Sequence, residues 1–164
     1  MHPAILFDDS RGVLAPLTDL RPAWSIRTGA FTTLERFRRV LKLDVVGVHV
    51  HPELAALARE LTDLPINQGI ATTGPILFIN SRCAIAPSPF ASLDPGEWLF
   101  EAGSGDVIAG LGDASDLGRL LSGKVPAAQK SQHLPAPALL SRTMNCAAPD
   151  AFTKVKYPMT ATLL

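Results

Sequence analysis

The chain has 164 residues, the length of one domain of ordinary size. Its hydrophobic fraction of 47% and charged fraction of 18% exclude a disordered chain and favour a packed core. The 15 basic and 15 acidic residues give a formal net charge of zero, so the composition indicates neither a nucleic-acid-binding nor a membrane-surface protein. The sequence shows no signal peptide and no apolar run near the roughly 20 residues of a membrane span, so we expect a cytoplasmic protein.

The first predicted strand is the apolar run Ala4-Ile5-Leu6-Phe7, which ends in Asp8-Asp9. An unbroken apolar run is typical of a strand that is covered on both faces, as in a parallel sheet. Residues 10–29 follow as a long polar loop. In open α/β sheets, ligands bind at the carboxyl ends of the strands, so this loop is a candidate binding segment.

Three arginines of that loop, Arg11, Arg21 and Arg27, could hold phosphates through charge-assisted hydrogen bonds. The alternative is a solvated loop in which these arginines pair with the acidic residues Asp8, Asp9 and Asp19. Composition alone favours that alternative.

A helix is predicted after Thr32, because Thr32 and Glu35 match a capping box. Its apolar side chains at helical spacing are Leu34, Phe37, Val40 and Leu41, and its outward side chains are Arg36, Arg38 and Arg39. Residues 44–50 predict a second strand, Pro52 the first turn of a second helix, and residues 75–80 a third strand.

Residues 98–101 and 106–111, separated by Ala-Gly-Ser-Gly, predict a β-hairpin. The alternation of strands and helices before it favours a three-layer α/β architecture with a mostly parallel sheet. We therefore expect an α/β domain over residues 1–124. Residues 125–164 have no persistent periodicity and predict a weakly ordered or divergent tail.

Isolated residues offer weaker candidates for chemistry. His49 and His51 share a face of a predicted strand, but a zinc site needs three or four ligands, so a structural role is favoured. Cys83 is expected to be a small buried hydrophobe. Trp24 and Trp98 are expected to pack against the core rather than to stack on a base.

Several blocks of this sequence resemble one bacterial family. The blocks are Ile5-Leu6-Phe7-Asp8-Asp9, Leu14-Ala15-Pro16-Leu17-Thr18, Arg21-Pro22, Ile26-Arg27, Gly29 and Thr32, followed by Leu77-Phe78-Ile79-Asn80-Ser81, Leu93-Asp94-Pro95-Gly96-Glu97 and Asp106-Val107-Ile108-Ala109. They resemble the GlmU-like sugar nucleotidyltransferases, similar to the bifunctional UDP-N-acetylglucosamine diphosphorylases/glucosamine-1-phosphate acetyltransferases. The resemblance covers roughly residues 4 to 111.

The resemblance implies a fold of the nucleotide-diphospho-sugar transferase type. The implied reaction moves a nucleoside monophosphate from a nucleoside triphosphate to a sugar 1-phosphate, with Mg²⁺ assistance and release of pyrophosphate. By position, Arg21 and Arg27 are the implied catalytic phosphate contacts. The implied substrate-binding residues are Asp8, Asp9, Arg11, Thr18 and Asn80, and Asp8 and Asp9 are also candidate metal ligands.

Three positions differ from the wider group of sugar nucleotidyltransferases. The Gly-x-Gly-Thr-Arg loop is replaced by residues 8–12, which contain one glycine, and the usual Pro-Lys by Pro22-Ala23. Asn80-Ser81-Arg82 stands where a metal-binding aspartate is common. These differences favour the alternative of a non-catalytic nucleotide-binding or protein-interaction domain.

The sequence contains none of the hexapeptide repeats with which the resembled enzymes continue. We therefore expect an incomplete version of the transferase domain that turns over poorly or not at all, and truncation or a shifted reading frame would explain its ending.

Overall fold

The computed structural model of the chain describes residues 2–11, 14–70, 72–83, 92–122, 124 and 130–134. Its strands are β1 Ala4–Phe7, β2 Val45–His49, β3 Ile76–Asn80, β4 Glu97–Glu101, β5 Val107–Gly112 and β6 Lys130–Leu134. They form one six-stranded sheet in the spatial order β2-β1-β3-β5-β4-β6. The pairs β1–β2, β1–β3 and β4–β6 are parallel, whereas β5 is antiparallel to both β3 and β4.

This topology confirms the predicted α/β fold with a mostly parallel sheet. The predicted hairpin is also confirmed, since β4 pairs with β5 directly. Gly103 and Gly105 lie in its turn with φ of 100° and 71°, values that residues with a Cβ rarely adopt. The predicted Ala-Gly-Ser-Gly turn therefore has a conformational reason for both of its glycines.

One face of the sheet packs against the helices that precede β3. The helical segments there are α1 Thr33–Glu35, which continues as a π-helical turn over Arg36–Val40, and α2 Ala55–Leu61, which begins with a 3-10 turn over Pro52–Leu54. Leu6 and Ile79 of the sheet share a buried cluster with Phe37 and Ala58 of these segments. Trp24 belongs to the same cluster, which confirms its predicted packing role.

The start of α1 agrees with the sequence prediction, whereas its later course does not. Thr32 accepts a hydrogen bond from the Glu35 backbone N–H at 3.1 Å, and Glu35 accepts one from the Thr32 backbone N–H at 2.9 Å, which completes the capping box. The prediction that Val40 is buried was wrong, because the π-helical turn adds a residue per turn and rotates Val40 to the surface, where it is 55% exposed. Arg36 also turns inward and donates to both oxygens of Thr28.

The other face of the sheet packs against α3 Asp116–Leu121. Leu120 lies in a second buried cluster with Phe7, Phe78 and Trp98. The rings of Phe78 and Trp98 stack with centroids 6.0 Å apart, which confirms the core role of Trp98. Helices thus cover both faces, and the predicted three layers are present.

Strand β6 was not predicted, because its segment has no alternating apolar pattern. It pairs in parallel with β4 from Glu97↔Lys130 to Glu101↔Leu134. Apart from these residues, the predicted tail over residues 125–164 lies outside the described residues. Among the residues that are described, no helix has the length and apolar character needed to span a bilayer.

Candidate substrate-binding site

The segment that follows β1 divides its side chains between two clefts. Phe7, Asp9 and Arg11 line one cleft, which we call the Arg11 cleft, and Asp8 and Ser10 line the other, which we call the Asp8 cleft. Beyond the end of β1 the chain turns, since Asp8 Oδ1 accepts a hydrogen bond from the Ser10 N–H at 2.8 Å and Ser10 has a φ of 53°. The two clefts therefore lie on either side of one short segment at the carboxyl end of β1.

The Arg11 cleft is completed by Asn80, Gly105, Val107, Leu120 and Lys124. The Asp8 cleft is completed by Thr18, Asp19, His51, Glu53 and Leu54. Their volumes, about 320 Å³ and about 510 Å³, include space open to solvent.

A buried guanidinium joins the strands beside the Arg11 cleft. Arg82 follows β3, and its Nε donates to both carboxylate oxygens of Asp9 at 3.2 Å. Its Nη2 donates to Asp9 Oδ2 at 2.5 Å and to Asp106 Oδ2 at 2.7 Å. Only 4% of the Arg82 side chain is exposed, against 9% for Asp9 and 7% for Asp106, so these charges neutralise one another inside the protein.

Two further side chains extend this network. Asn80, the last residue of β3, donates to Asp9 Oδ2 at 2.9 Å and to the Val107 carbonyl at 3.0 Å. Arg11 pairs through Nη1 with Asp106 Oδ1, and 45% of its side chain remains exposed. Arg11 is therefore the member of the network that faces both the protein and the solvent of the cleft.

The hairpin positions Asp106 for these contacts. Because β5 runs antiparallel to β3, its first residues lie beside the carboxyl end of β3. The Asp106 backbone N–H donates to Ser104 Oγ at 3.1 Å, and its carbonyl accepts from the Glu101 N–H at 2.8 Å. The turn thus holds Asp106 at the edge where the parallel strands end.

Asp8 and Asp9 are neighbours with opposite electrostatic environments. Burial raises the pKa of Asp8, and its hydrogen bond from the Ser10 N–H at 2.8 Å offsets only part of that effect. Burial would also raise the pKa of Asp9, but the hydrogen bonds and charge of Arg82 outweigh it and hold this pKa below its usual value. Asp9 is therefore an anion paired with a cation. Asp8 lies beside an open cleft, and the cost of burying its charge is only partly offset.

The predicted site residues fall into three groups. Asp9, Arg11 and Asn80 meet in the Arg11 cleft, and Asp8 and Thr18 meet in the Asp8 cleft. Arg21 and Arg27 are both exposed and line neither cleft. Arg27 donates to the Ala30 carbonyl at 2.8 Å, while Arg21 makes no hydrogen bond or ion pair with a described residue. Their assignment as phosphate contacts stays a prediction.

The residues offer limited support for a metal site. In the described part of the chain, no three His, Cys, Asp or Glu side chains are grouped to hold an ion. Mg²⁺ in nucleotide-dependent enzymes usually takes one or two carboxylates and completes its shell with substrate phosphates and water. The Asp9 carboxylate is already engaged by Arg82 and Asn80, so Asp8 is the aspartate that fits such a ligand.

The other sequence candidates have simple surroundings. His49 is buried, its Nε2 lies 3.0 Å from the Gln68 carbonyl oxygen, and burial lowers its pKa. His51 lies past the end of β2, with its Nδ1 3.6 Å from Glu53. Cys83 is 1% exposed, which confirms its prediction as a buried side chain.

Sequence reasoning missed the centre of this network. Asp106 belongs to a block that carried the family resemblance, and Arg82 was named only as part of a departure from the wider group, so neither was assigned a role. Lys124 was taken only as the end of the domain. Each of them follows or precedes an apolar segment. A charged residue at the end of an apolar segment was the only sequence feature that could have indicated their role.

A model of the sugar nucleotidyl transferase family matches residues 4–158. No curated protein and no solved structure matches the chain. The matched range includes all six strands and both clefts, and it continues into the segment for which a divergent tail was expected. Because it covers nearly the whole sequence, the chain belongs to the sugar nucleotidyl transferase family.

Proposed function

We propose that this chain transfers a nucleoside monophosphate from a nucleoside triphosphate to a sugar 1-phosphate. The observation that carries the proposal is the alternation of residues 7–11 between two clefts of different chemistry. The Arg11 cleft offers a cation and an amide, which suit phosphates. The Asp8 cleft offers carboxylates and hydroxyls, which suit the hydroxyl groups of a ribose or a sugar.

The reaction places a specific demand on these groups. An oxygen of the sugar 1-phosphate forms a bond to the α-phosphorus, and the bond from that phosphorus to the leaving pyrophosphate breaks. Both reactants are anions, so catalysis depends mainly on cationic groups that offset charge and hold the reactants in line. Mg²⁺ would supply part of that charge through the phosphate oxygens and water that complete its shell.

Arg11 is the residue that we place on the phosphates. Asp106 occupies Nη1 of its guanidinium, and the other nitrogens have no hydrogen bond to a described residue. The pairing with Asp106 orients the group without burying it, since 45% of the side chain is exposed. A planar guanidinium held in this way can donate to two phosphate oxygens.

The test is release of pyrophosphate in the presence of Mg²⁺, with each nucleoside triphosphate and a panel of sugar 1-phosphates. The resemblance to GlmU-like enzymes makes UTP the first nucleotide to examine. We expect turnover with one pair and a loss of roughly 10- to 100-fold in kcat/KM for Arg11→Gln, which is the size of a charge-assisted hydrogen bond. Arg38→Gln, an exposed arginine on the π-helical turn, is the matched control.

One observation favours a second candidate, a nucleotide-binding domain without catalysis. Asp9 lies where the nucleotide would approach, but Arg82 already neutralises its charge and Asn80 donates a hydrogen bond to it. Calorimetry with UTP and Mg²⁺ separates the two candidates. Binding without pyrophosphate release from any substrate pair would exclude the transferase activity and support the second candidate.

A further inference from the structure

The resemblance places Pro22-Ala23 where the wider group of sugar nucleotidyltransferases has Pro-Lys. In this chain that position is closed to ligands, because Ala23 is 1% exposed and Trp24 beside it is 3% exposed. Even a lysine placed there would begin inside the hydrophobic core. A second cation for the phosphates would therefore have to come from another segment.

Lys124 lies where such a cation is needed. Its backbone N–H donates to the Arg119 carbonyl at 2.9 Å, which holds it at the end of α3. Leu120 anchors α3 in the same buried cluster as Phe7, the last residue of β1. This packing brings Lys124 to the Arg11 cleft, although more than 110 residues separate it from Arg11 in the sequence.

The charges around the cleft favour an anion. The Asp9 carboxylate is compensated by the buried Arg82, and Asp106 is shared between Arg82 and Arg11. Lys124 is exposed and makes no ion pair with a described residue, so it adds a positive charge that nothing in this network offsets. The four paired charges sum to zero, and Lys124 leaves the cleft with a surplus of one positive charge.

We propose that Lys124 and Arg11 together bind a phosphate group of the substrate. This inference rests on the proposed function and adds a residue to its site. The ligand is a phosphate monoester or a pyrophosphate group, which either the sugar 1-phosphate or the nucleotide can supply. Phe7, Val107 and Leu120 form the apolar part of the cleft wall.

The experiment is isothermal titration of the full chain with pyrophosphate, without nucleotide or sugar. We expect Lys124→Gln to weaken binding by roughly tenfold, because one charge-assisted contact is lost. Lys124→Arg should retain most of the affinity, and rising salt should weaken it in the wild type. Lys42→Gln is the matched control, since Lys42 is an exposed lysine that precedes β2 at the opposite edge of the sheet.

Equal pyrophosphate affinity in the wild type and Lys124→Gln would overturn the inference, as would an equal loss in Lys42→Gln. Parallel titrations with glucose 1-phosphate and UMP show which substrate supplies the phosphate. It is the ligand whose affinity falls in Lys124→Gln. If the affinity of neither ligand depends on Lys124, this result also contradicts the proposed phosphate site. Turnover that is insensitive to Lys124→Gln would reject this inference and keep the proposed function. Lys124-dependent pyrophosphate binding without turnover would support this inference and reject the proposed function.

Discussion

Arg82 and Asp9, 73 residues apart in the sequence, form a buried ion pair in which Nε and Nη2 both donate to the carboxylate. The pair joins the segments that follow β3 and β1, two parallel neighbours in the sheet. Asp106 accepts a further hydrogen bond from the same guanidinium. One side chain thus fixes three segments that form the Arg11 cleft.

Replacing Arg82 should destabilise the protein strongly. Arg82→Met leaves the buried carboxylates of Asp9 and Asp106 without their cation, and removing one partner of a buried ion pair typically costs about 3–5 kcal/mol. Urea unfolding followed by circular dichroism measures this cost. Arg38→Met, at an exposed arginine, should change stability by less than about 0.5 kcal/mol. A cost for Arg82→Met as small as that of the control would show that the network contributes little.

Asp8→Asn should stabilise the protein at neutral pH. Because the folded-state pKa of Asp8 is raised above 3.8, the folded chain binds this proton more tightly than the unfolded chain does. Ionisation of Asp8 therefore lowers stability as the pH rises through the folded pKa. The asparagine can still accept the Ser10 N–H bond while it avoids burying a charge.

Thermal unfolding as a function of pH tests this sign. The melting temperature of Asp8→Asn should exceed that of the wild type at pH 7, and the difference should shrink as the pH falls towards 3.8. Asp19→Asn, at an exposed aspartate of the same cleft, should show no comparable gain. A lower melting temperature for Asp8→Asn at pH 7 would contradict the conclusion that burying the ionised Asp8 carboxylate destabilises the protein.

Two glycine substitutions should have opposite effects. A Cβ on Gly110 would lie 2.1 Å from the Trp98 ring, so Gly110→Ala must displace a buried indole and should cost about 1–3 kcal/mol or more. A Cβ on Gly118 in α3 meets nothing within 4 Å, so Gly118→Ala should stabilise by about 0.5–1 kcal/mol. Equilibrium unfolding of both variants, with near-ultraviolet circular dichroism of the Trp98 environment, gives the comparison. A neutral Gly110→Ala would mean that Trp98 is less tightly packed than its contacts indicate.

The three loop arginines should differ in their effect on UTP binding. Arg11→Gln should weaken it by roughly tenfold, since Arg11 lines a cleft and is oriented by Asp106. Arg21→Gln and Arg27→Gln should have smaller effects, because both side chains are exposed outside the two clefts. Calorimetry of the three variants side by side decides between this order and the reverse order implied by the family resemblance.

The local parts of the fold were predictable because their causes are local. The run Ala4–Phe7 is apolar throughout and forms a fully buried strand, and the Thr32 capping box satisfies backbone donors within one turn. Strand β6 was missed because its pairing with β4 depends on a neighbour about 30 residues away in the chain. Val40 was misplaced because a π-helical turn changes the side-chain period, which a regular helical pattern does not anticipate.

From the sequence alone come strands β1 to β5, the capping box, the hairpin and the family blocks, since each depends on residues that are close together along the chain. The division of residues 7–11 between two clefts, the burial of Arg82 between two aspartates and the approach of Lys124 come only from the tertiary structure. The physical reason is that charge pairing acts through space. Whether a carboxylate is neutralised or left facing a cleft depends on which distant strand ends beside it.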